Sequence, residues 1–326
     1  MSRQSITVGK TAVEPGQQAV VEIPMASLFT GTPVSLTVVV LHGRQPGPTV
    51  WLDAAIHGDE LNGLQIIREV LQQIDVDRLH GTLLAVPVVN VLGHIQRSRY
   101  LPDRRDLNRC FPGSARGSLA SRLAHLFLEQ VVSHCDLGID LHTAAAGRTN
   151  LPHVRTDLTD AESRRLAEIF GAPLAYHAPE IKGSLRQVAK KRGVALLVYE
   201  AGEPLRFDDR AVEIGVDGVL RVLRHVGLWA PTTDAVSPPS PIYGRKGRWV
   251  RASRSGLFVP EVELGDRVEK GQALGTLSDI VPSRDRVMKA PFDGMVMGHV
   301  VDPLVHQGDA LLHIARVSSE PPTLDG

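Results

Sequence analysis

Val50-Trp51-Leu52-Asp53-Ala54-Ala55-Ile56-His57-Gly58-Asp59-Glu60-Leu61-Asn62-Gly63 changes character midway. Its first half is an apolar run of strand type that stops at a polar turn. The residues that follow, Leu64-Gln65-Ile66-Ile67-Arg68-Glu69-Val70-Leu71, repeat apolar side chains at helical spacing. The stretch reads strand, turn, helix. Working outward, 36–41, 82–89, 137–141 and 195–199 also read as buried strands rich in Val, Ile and Leu. Between and after them, 60–74, 119–132, 161–170, 185–192 and 210–225 carry helical patterns. Strand alternating with helix predicts an α/β fold, a mixed and largely parallel sheet with helices on both faces. In such sheets ligands gather beyond the carboxyl ends of the strands.

After Trp229 the rhythm breaks. Pro231, Pro238, Pro239 and Pro241 among Thr and Ser read as a linker. Beyond it, short strands with Gly-Asp turns recur in two imperfect copies, around 259–275 and 295–312. The expected organisation is a large domain over 1–230, a linker over 231–242, a small β-sandwich or barrel domain over 243–318 and a tail over 319–326. The β-rich domain over 243–318 resembles the barrel-sandwich of biotinyl and lipoyl carrier domains. Lys289, however, directly precedes the second copy instead of occupying a tip, so a structural or lid role is expected rather than carriage of a prosthetic group.

The 326 residues carry 36 basic and 36 acidic side chains, so no overall field gathers nucleic acid or anionic membrane. No apolar run approaches the roughly 20 residues of a membrane span, and no secretory signal is visible at the amino end. Cys110 and Cys135 are too few for a disulfide framework or a thiolate zinc site. The expected compartment is the cytoplasm.

His57 and Glu60 stand three residues apart on the strand-to-helix turn and can face one point. An imidazole and a carboxylate so placed make two of the three protein ligands of a His₂Glu zinc site; the bland alternative is an exposed polar turn. The third ligand must come from elsewhere. His142, in Asp140-Leu141-His142, closes a strand at its carboxyl end and is the candidate, with Asp140 on the same strand face to orient it. In Asp106-Leu107-Asn108-Arg109, within a long loop, Arg109 offers a planar fork for a carboxylate and Asn108 a neighbouring donor. Glu200, at the end of another buried strand, is the candidate general base, with Glu203 as competitor.

Taken in order and spacing, His57-Gly58-Asp59-Glu60, Asp106-Leu107-Asn108-Arg109, Asp140-Leu141-His142 and Tyr199-Glu200-Ala201-Gly202 resemble the succinylglutamate desuccinylase/aspartoacylase family, a branch of the zinc carboxypeptidase-like enzymes. The resemblance implies one zinc per chain on His57, Glu60 and His142. It implies substrate contacts from Asn108, Arg109, Arg186 and Arg99, with Glu200 as base and a homo-oligomeric assembly. The expected activity is hydrolysis of the amide of a small N-acyl amino acid or similar carboxylate-bearing amide. A metallocarboxypeptidase trimming peptides and a non-catalytic binding homologue remain the alternatives.

Overall fold

Twelve strands hydrogen-bond into one sheet, and their order decides where a site can form. In the computed structural model, which describes residues 3–229, 240–280 and 285–322, that order begins Gln17–Ser27, Pro33–His42, His80–Val86, Gln45–Ala54, Leu137–His142, Ala195–Gly202 and Arg148–Thr156. It continues through Leu174–His177, Ile242–Arg251, Ala310–Ser318, Gly294–Val300 and Arg267–Val268. Most of the Pro-rich linker expected at 231–242 lies outside the described residues.

The expectation of a largely parallel sheet needs correction. The four strands from His80–Val86 to Ala195–Gly202 are mutually parallel, but antiparallel pairs flank them on both sides. The sheet is mixed, with its parallel block at the centre. Side-chain parity within that block explains the two helical layers. Val50, Leu52 and Ala54 point into one apolar cluster, with Ile66, Ile67, Val70, Phe170 and Val219 from the helices Asn62–Gln73, Ala161–Phe170 and Asp209–His225. Trp51 points the other way, toward Leu123, Phe127, Leu185 and Val188 of the helices Leu119–Gln130 and Leu185–Lys191. Each fully buried side chain of this size stabilises the fold by about 1.5–3 kcal/mol, so packing more than propensity fixes these helices. Four of them start at a side-chain cap: Ser118, Asp160, Ser184 and Asp208 each accept a backbone N–H in the first turn. The helix Asn62–Gln73 has no such cap at Leu61.

The carboxy-terminal β segment is joined to the large sheet by backbone pairing. Ile242–Arg251 runs parallel to Leu174–His177, and Gly294–Val300 pairs antiparallel with the first half of Arg148–Thr156. A separate four-stranded sheet lies over the same region and includes Gly256–Pro260 and Ala273–Ser278. Phe258, Leu274 and Leu277 from it share an apolar cluster with Val250, Val296, Leu312 and Ile314 of the large sheet. Lys289 ends the strand Arg286–Lys289, opposite Ala273. No helix of the described residues is long and apolar enough to cross a membrane.

Where the two parts meet, His153 and His313 are held neutral. Burial pushes His153 down to about 3 and His313 down to about 4, helped at His313 by His153 and by the cations Arg155 and Arg148. His153 Nδ1–H donates to the carbonyl of Leu151 at 2.7 Å. Above about pH 6.5 both histidines are neutral, folded or unfolded. As the pH falls below that, the unfolded chain binds protons that the native fold refuses, so stability is lost progressively toward pH 4 and then pH 3. We expect the urea midpoint to drop between pH 7 and pH 4.5, and His313→Gln to remove part of that drop.

Candidate metal centre and substrate pocket

The strand Gln45–Ala54 ends in a forced turn. Ala55 adopts a φ of +50°, a region that residues with a Cβ enter only when the surroundings impose it. Three residues on, Gly58 lies against the backbone of Gly93 and His94; a Cβ there would fall 2.1 Å from the Gly93 carbonyl carbon. The chain is thereby folded back tightly enough for the Glu60 N–H to donate to the carbonyl of His57. His57 and Glu60 both end up buried at the carboxyl end of the parallel block. His142 arrives there as the last residue of Leu137–His142, and Glu200 stands beside it in register on the adjacent parallel strand.

These segments bring the expected ligands together. His57 Nδ1 lies 2.7 Å from Glu60 Oε1, and His142 Nδ1 lies 2.7 Å from Glu60 Oε2. One ligand atom from each of the three residues lies within 4.8 Å of the others. Zinc takes such a trio of donors in catalytic sites. Behind each imidazole stands a carboxylate. His57 Nε2 is 3.1 Å from Asp106 Oδ1, and His142 Nε2 is 2.9 Å from Asp140 Oδ1, although that second contact lies outside hydrogen-bond geometry.

The electrostatics favour a cation. Burial alone would raise the Glu60 carboxyl, but His57 and His142 hold it well below the usual range. Burial alone would lower both imidazoles, yet Glu60 raises His57, and Asp140 with Glu60 raises His142. Both Asp140 carboxylate oxygens and His142 Nε2 are buried without a hydrogen-bond partner. Two neutral imidazoles and one carboxylate, backed by further carboxylates, are the donor set that suits a divalent ion. The imidazole–carboxylate pairing also yields an expected result. Asp106→Ala should weaken metal binding by about 10–100-fold, measured by competition with a chelator; unchanged affinity would show that Asp106 does not support His57.

A cavity of about 220 Å³ opens over the cluster, lined by His57, Glu60, His142, Asn108, Arg109 and Glu200 among others. Asn108 Oδ1 accepts the N–H of Leu185 at 2.9 Å, which leaves its amide N–H₂ as a donor. Arg109 is exposed and forms no ion pair among the described residues. Arg186 reaches the cavity wall, with its fork tied to the carbonyls of Ala178 and Pro179 at 2.9 and 2.6 Å. Arg99 bridges Glu60 and Asp106 at 3.3 and 3.1 Å. The competitor Glu203 pairs instead with Arg206.

Sequence reasoning missed the partners of Glu200. Its strand does not end at Tyr199 but runs on to Gly202, because Arg148–Thr156 pairs along it. From that strand Arg155 Nη1 donates to Glu200 Oε1 and Asn150 Nδ2 to Oε2, each at 3.1 Å. The segment Arg148-Thr149-Asn150-Leu151-Pro152-His153-Val154-Arg155-Thr156 mixes charge, proline and apolar residues. Faint alternation around Leu151 and Val154 was the one signal available.

With this geometry in view, comparison with known proteins gives a consistent result. Residues 46–226 match the model of the succinylglutamate desuccinylase/aspartoacylase catalytic domain. The chain belongs to that family. Among curated proteins it is 26% identical, over 92% of both chains, to an N-alpha-acetyl-L-2,4-diaminobutyric acid deacetylase of Halomonas elongata. Among solved structures, a succinylglutamate desuccinylase/aspartoacylase from Rhodobacter sphaeroides is 27% identical, with a TM-score of 0.82 over 93% of this chain and 96% of that one. The product-bound ectoine utilization protein EutE (DoeB) from Ruegeria pomeroyi, 23% identical, shares the fold with a TM-score of 0.83 over 97% and 98% of the two chains.

Proposed function

We propose that this chain is a zinc-dependent deacylase that hydrolyses the amide bond of an N-acyl amino acid or a similar small carboxylate-bearing amide. The observation that carries the reading is the buried His57–Glu60–His142 cluster opening into one cavity with Glu200 and Arg109. The deacetylase named among its relatives supports the same reaction class. In this reading His57, Glu60 and His142 hold the ion and Asp140 orients His142. A zinc bound there supplies a Lewis acid and an activated water near neutral pH.

The rest is done by side chains. Arg109, with the Asn108 amide beside it, holds the substrate carboxylate and fixes the direction of the scissile bond. Arg186 and Arg99 complete the cationic wall. Glu200 takes a proton from the attacking water and delivers it to the amide nitrogen as the C–N bond breaks. The acyl carbon leaves as a carboxylic acid and the nitrogen as an amine. Arg155 and Asn150 fix the orientation of the Glu200 carboxylate before substrate arrives.

The small cavity favours a small amide over a peptide chain, since pockets for drug-sized ligands span about 300–1,000 Å³. The division into a hydrolase part over 1–230 and a β part over 243–318, and residence in the cytoplasm, belong to the same proposal. The test is a hydrolysis screen of N-acetyl and N-succinyl amino acids against zinc-loaded protein, with a blocked dipeptide as the contrasting substrate. Turnover of a small N-acyl amino acid, lost on chelation and restored by zinc, is expected. Turnover of the dipeptide alone would favour the carboxypeptidase alternative.

A further inference from the structure

Trp249 lines the same cavity as the metal cluster and Glu200, yet nothing in the reaction above uses it. It comes from the carboxy-terminal strands and is only partly buried, whereas Trp51 and Trp229 are packed in the core. Two neighbours contact its indole among the described residues. Trp249 faces His313 across the strand pair, and the two rings stack with centroids 4.6 Å apart and planes 9° from parallel. The Arg148 guanidinium sits 4.9 Å from the centre of the indole, a cation–π contact. His313 in turn meets Tyr176 edge-on at 6.3 Å.

The register ties this group to the base. Asn150, which donates to Glu200, pairs with Gly298; Gly298 pairs with His313, and His313 with Trp249. A Cβ on Gly298 would lie 2.8 Å from Asn150 Oδ1, so the glycine keeps that row open.

The sheet also orders the site along one direction. His57 follows Gln45–Ala54, His142 ends the next strand, Glu200 is on the one after it, and Asn150 and Arg148 are on the one beyond. Arg99 and Asp106 stand at the His57 end, and the same loop carries Asn108 and Arg109 against Leu185 and Gly183. Arg148 and Trp249 stand at the opposite end, past Glu200. A substrate with its amide at the metal cluster and its acyl group extending past Glu200 meets the Trp249 ring in this cavity.

We propose that Trp249, braced by His313 and Arg148, forms the end wall of the acyl subsite and limits acyl length. The proposal rests on the deacylase reading and assigns it a specificity-determining residue. A ring fixed by stacking cannot swing aside for extra methylenes, and close-packed walls resist added volume.

The test is kcat/KM for N-formyl, N-acetyl, N-propionyl and N-butyryl derivatives of L-aspartate and L-2,4-diaminobutyrate with zinc-loaded protein. One methylene in an apolar pocket changes discrimination by about 10–200-fold. Trp249→Ala is therefore expected to raise the butyryl-to-acetyl ratio at least about tenfold. Trp249→Phe, which keeps an aromatic ring and serves if the alanine variant does not fold, should raise the ratio by less. Arg148→Ala, which removes the guanidinium from the indole, should shift it in the same direction. Equal losses for every acyl chain, or unchanged ratios in these variants, would overturn the proposal and leave the deacylase reading standing. A wild type that hydrolyses none of these derivatives would bring down both.

Discussion

Glu200→Ala is expected to lower kcat by about 10²–10⁴-fold, the usual contribution of a positioned general acid–base, while bound zinc stays at the wild-type level. The two halves of this result belong together. Glu200 neighbours His142 in register but lies outside the ligand cluster, and its oxygens are held by Arg155 and Asn150. Removing it therefore leaves the donors His57, Glu60 and His142 in place. Loss of zinc together with activity would make Glu200 part of the metal site; turnover near the wild-type rate would exclude it as the base. Glu200→Gln should behave like the alanine variant, because a neutral amide takes no proton and its N–H₂ cannot accept the second of the two hydrogen bonds that Arg155 and Asn150 donate.

Arg109→Ala should raise KM for an N-acyl amino acid by about 10–100-fold, since a hydrogen bond to a charged partner contributes about 1.5–3 kcal/mol and each 1.4 kcal/mol is tenfold. Arg109 forms no ion pair among the described residues and stands exposed on the cavity wall. Its charge is available to a ligand, unlike that of Arg99, which already bridges Glu60 and Asp106. Arg109→Lys should recover only part of the loss, because an ammonium keeps the charge but cannot reproduce the bidentate fork. Full activity in the lysine variant would show that geometry at this position is unimportant. Steady-state kinetics on the best substrate from the hydrolysis screen gives the answer.

The parts of this chain that could be read from its sequence are those with a strong local pattern. Val50 to Ile56 and Leu137 to Leu141 are mainly apolar runs, each broken by one aspartate (Asp53, Asp140), and they form the buried centre of the sheet. Helices such as Ala161–Phe170 begin and end close to where periodicity places them. His57, Glu60 and His142 were legible because each sits where a strand of that block ends, the place the topology reserves for ligands.

What stayed hidden depends on partners far away in sequence. Arg148–Thr156 carries Pro152 and half-buried polar residues, and it pairs with strands that begin as far apart in the chain as Leu174, Ala195 and Gly294. Without it, the support for Glu200 from Asn150 and Arg155 could not be seen, nor the antiparallel turn of the sheet beyond the parallel block. Asp106 stood in a recognised motif, but its contact with His57 bridges 49 residues and needs the folded loop. The fusion of the carboxy-terminal strands with the large sheet is likewise a matter of non-local register. A linker rich in proline suggested a separate module, and the pairing on either side of it makes the two parts share one sheet.

The metal content of the protein tests the central claim most directly. After dialysis against zinc and then against metal-free buffer, elemental analysis should find about one zinc per chain in the wild type. His57→Ala and His142→Ala should each lose most of it. Wild-type protein with no retained metal, or the same zinc content in both histidine variants, would contradict the assignment of His57, Glu60 and His142 as the ion's ligands.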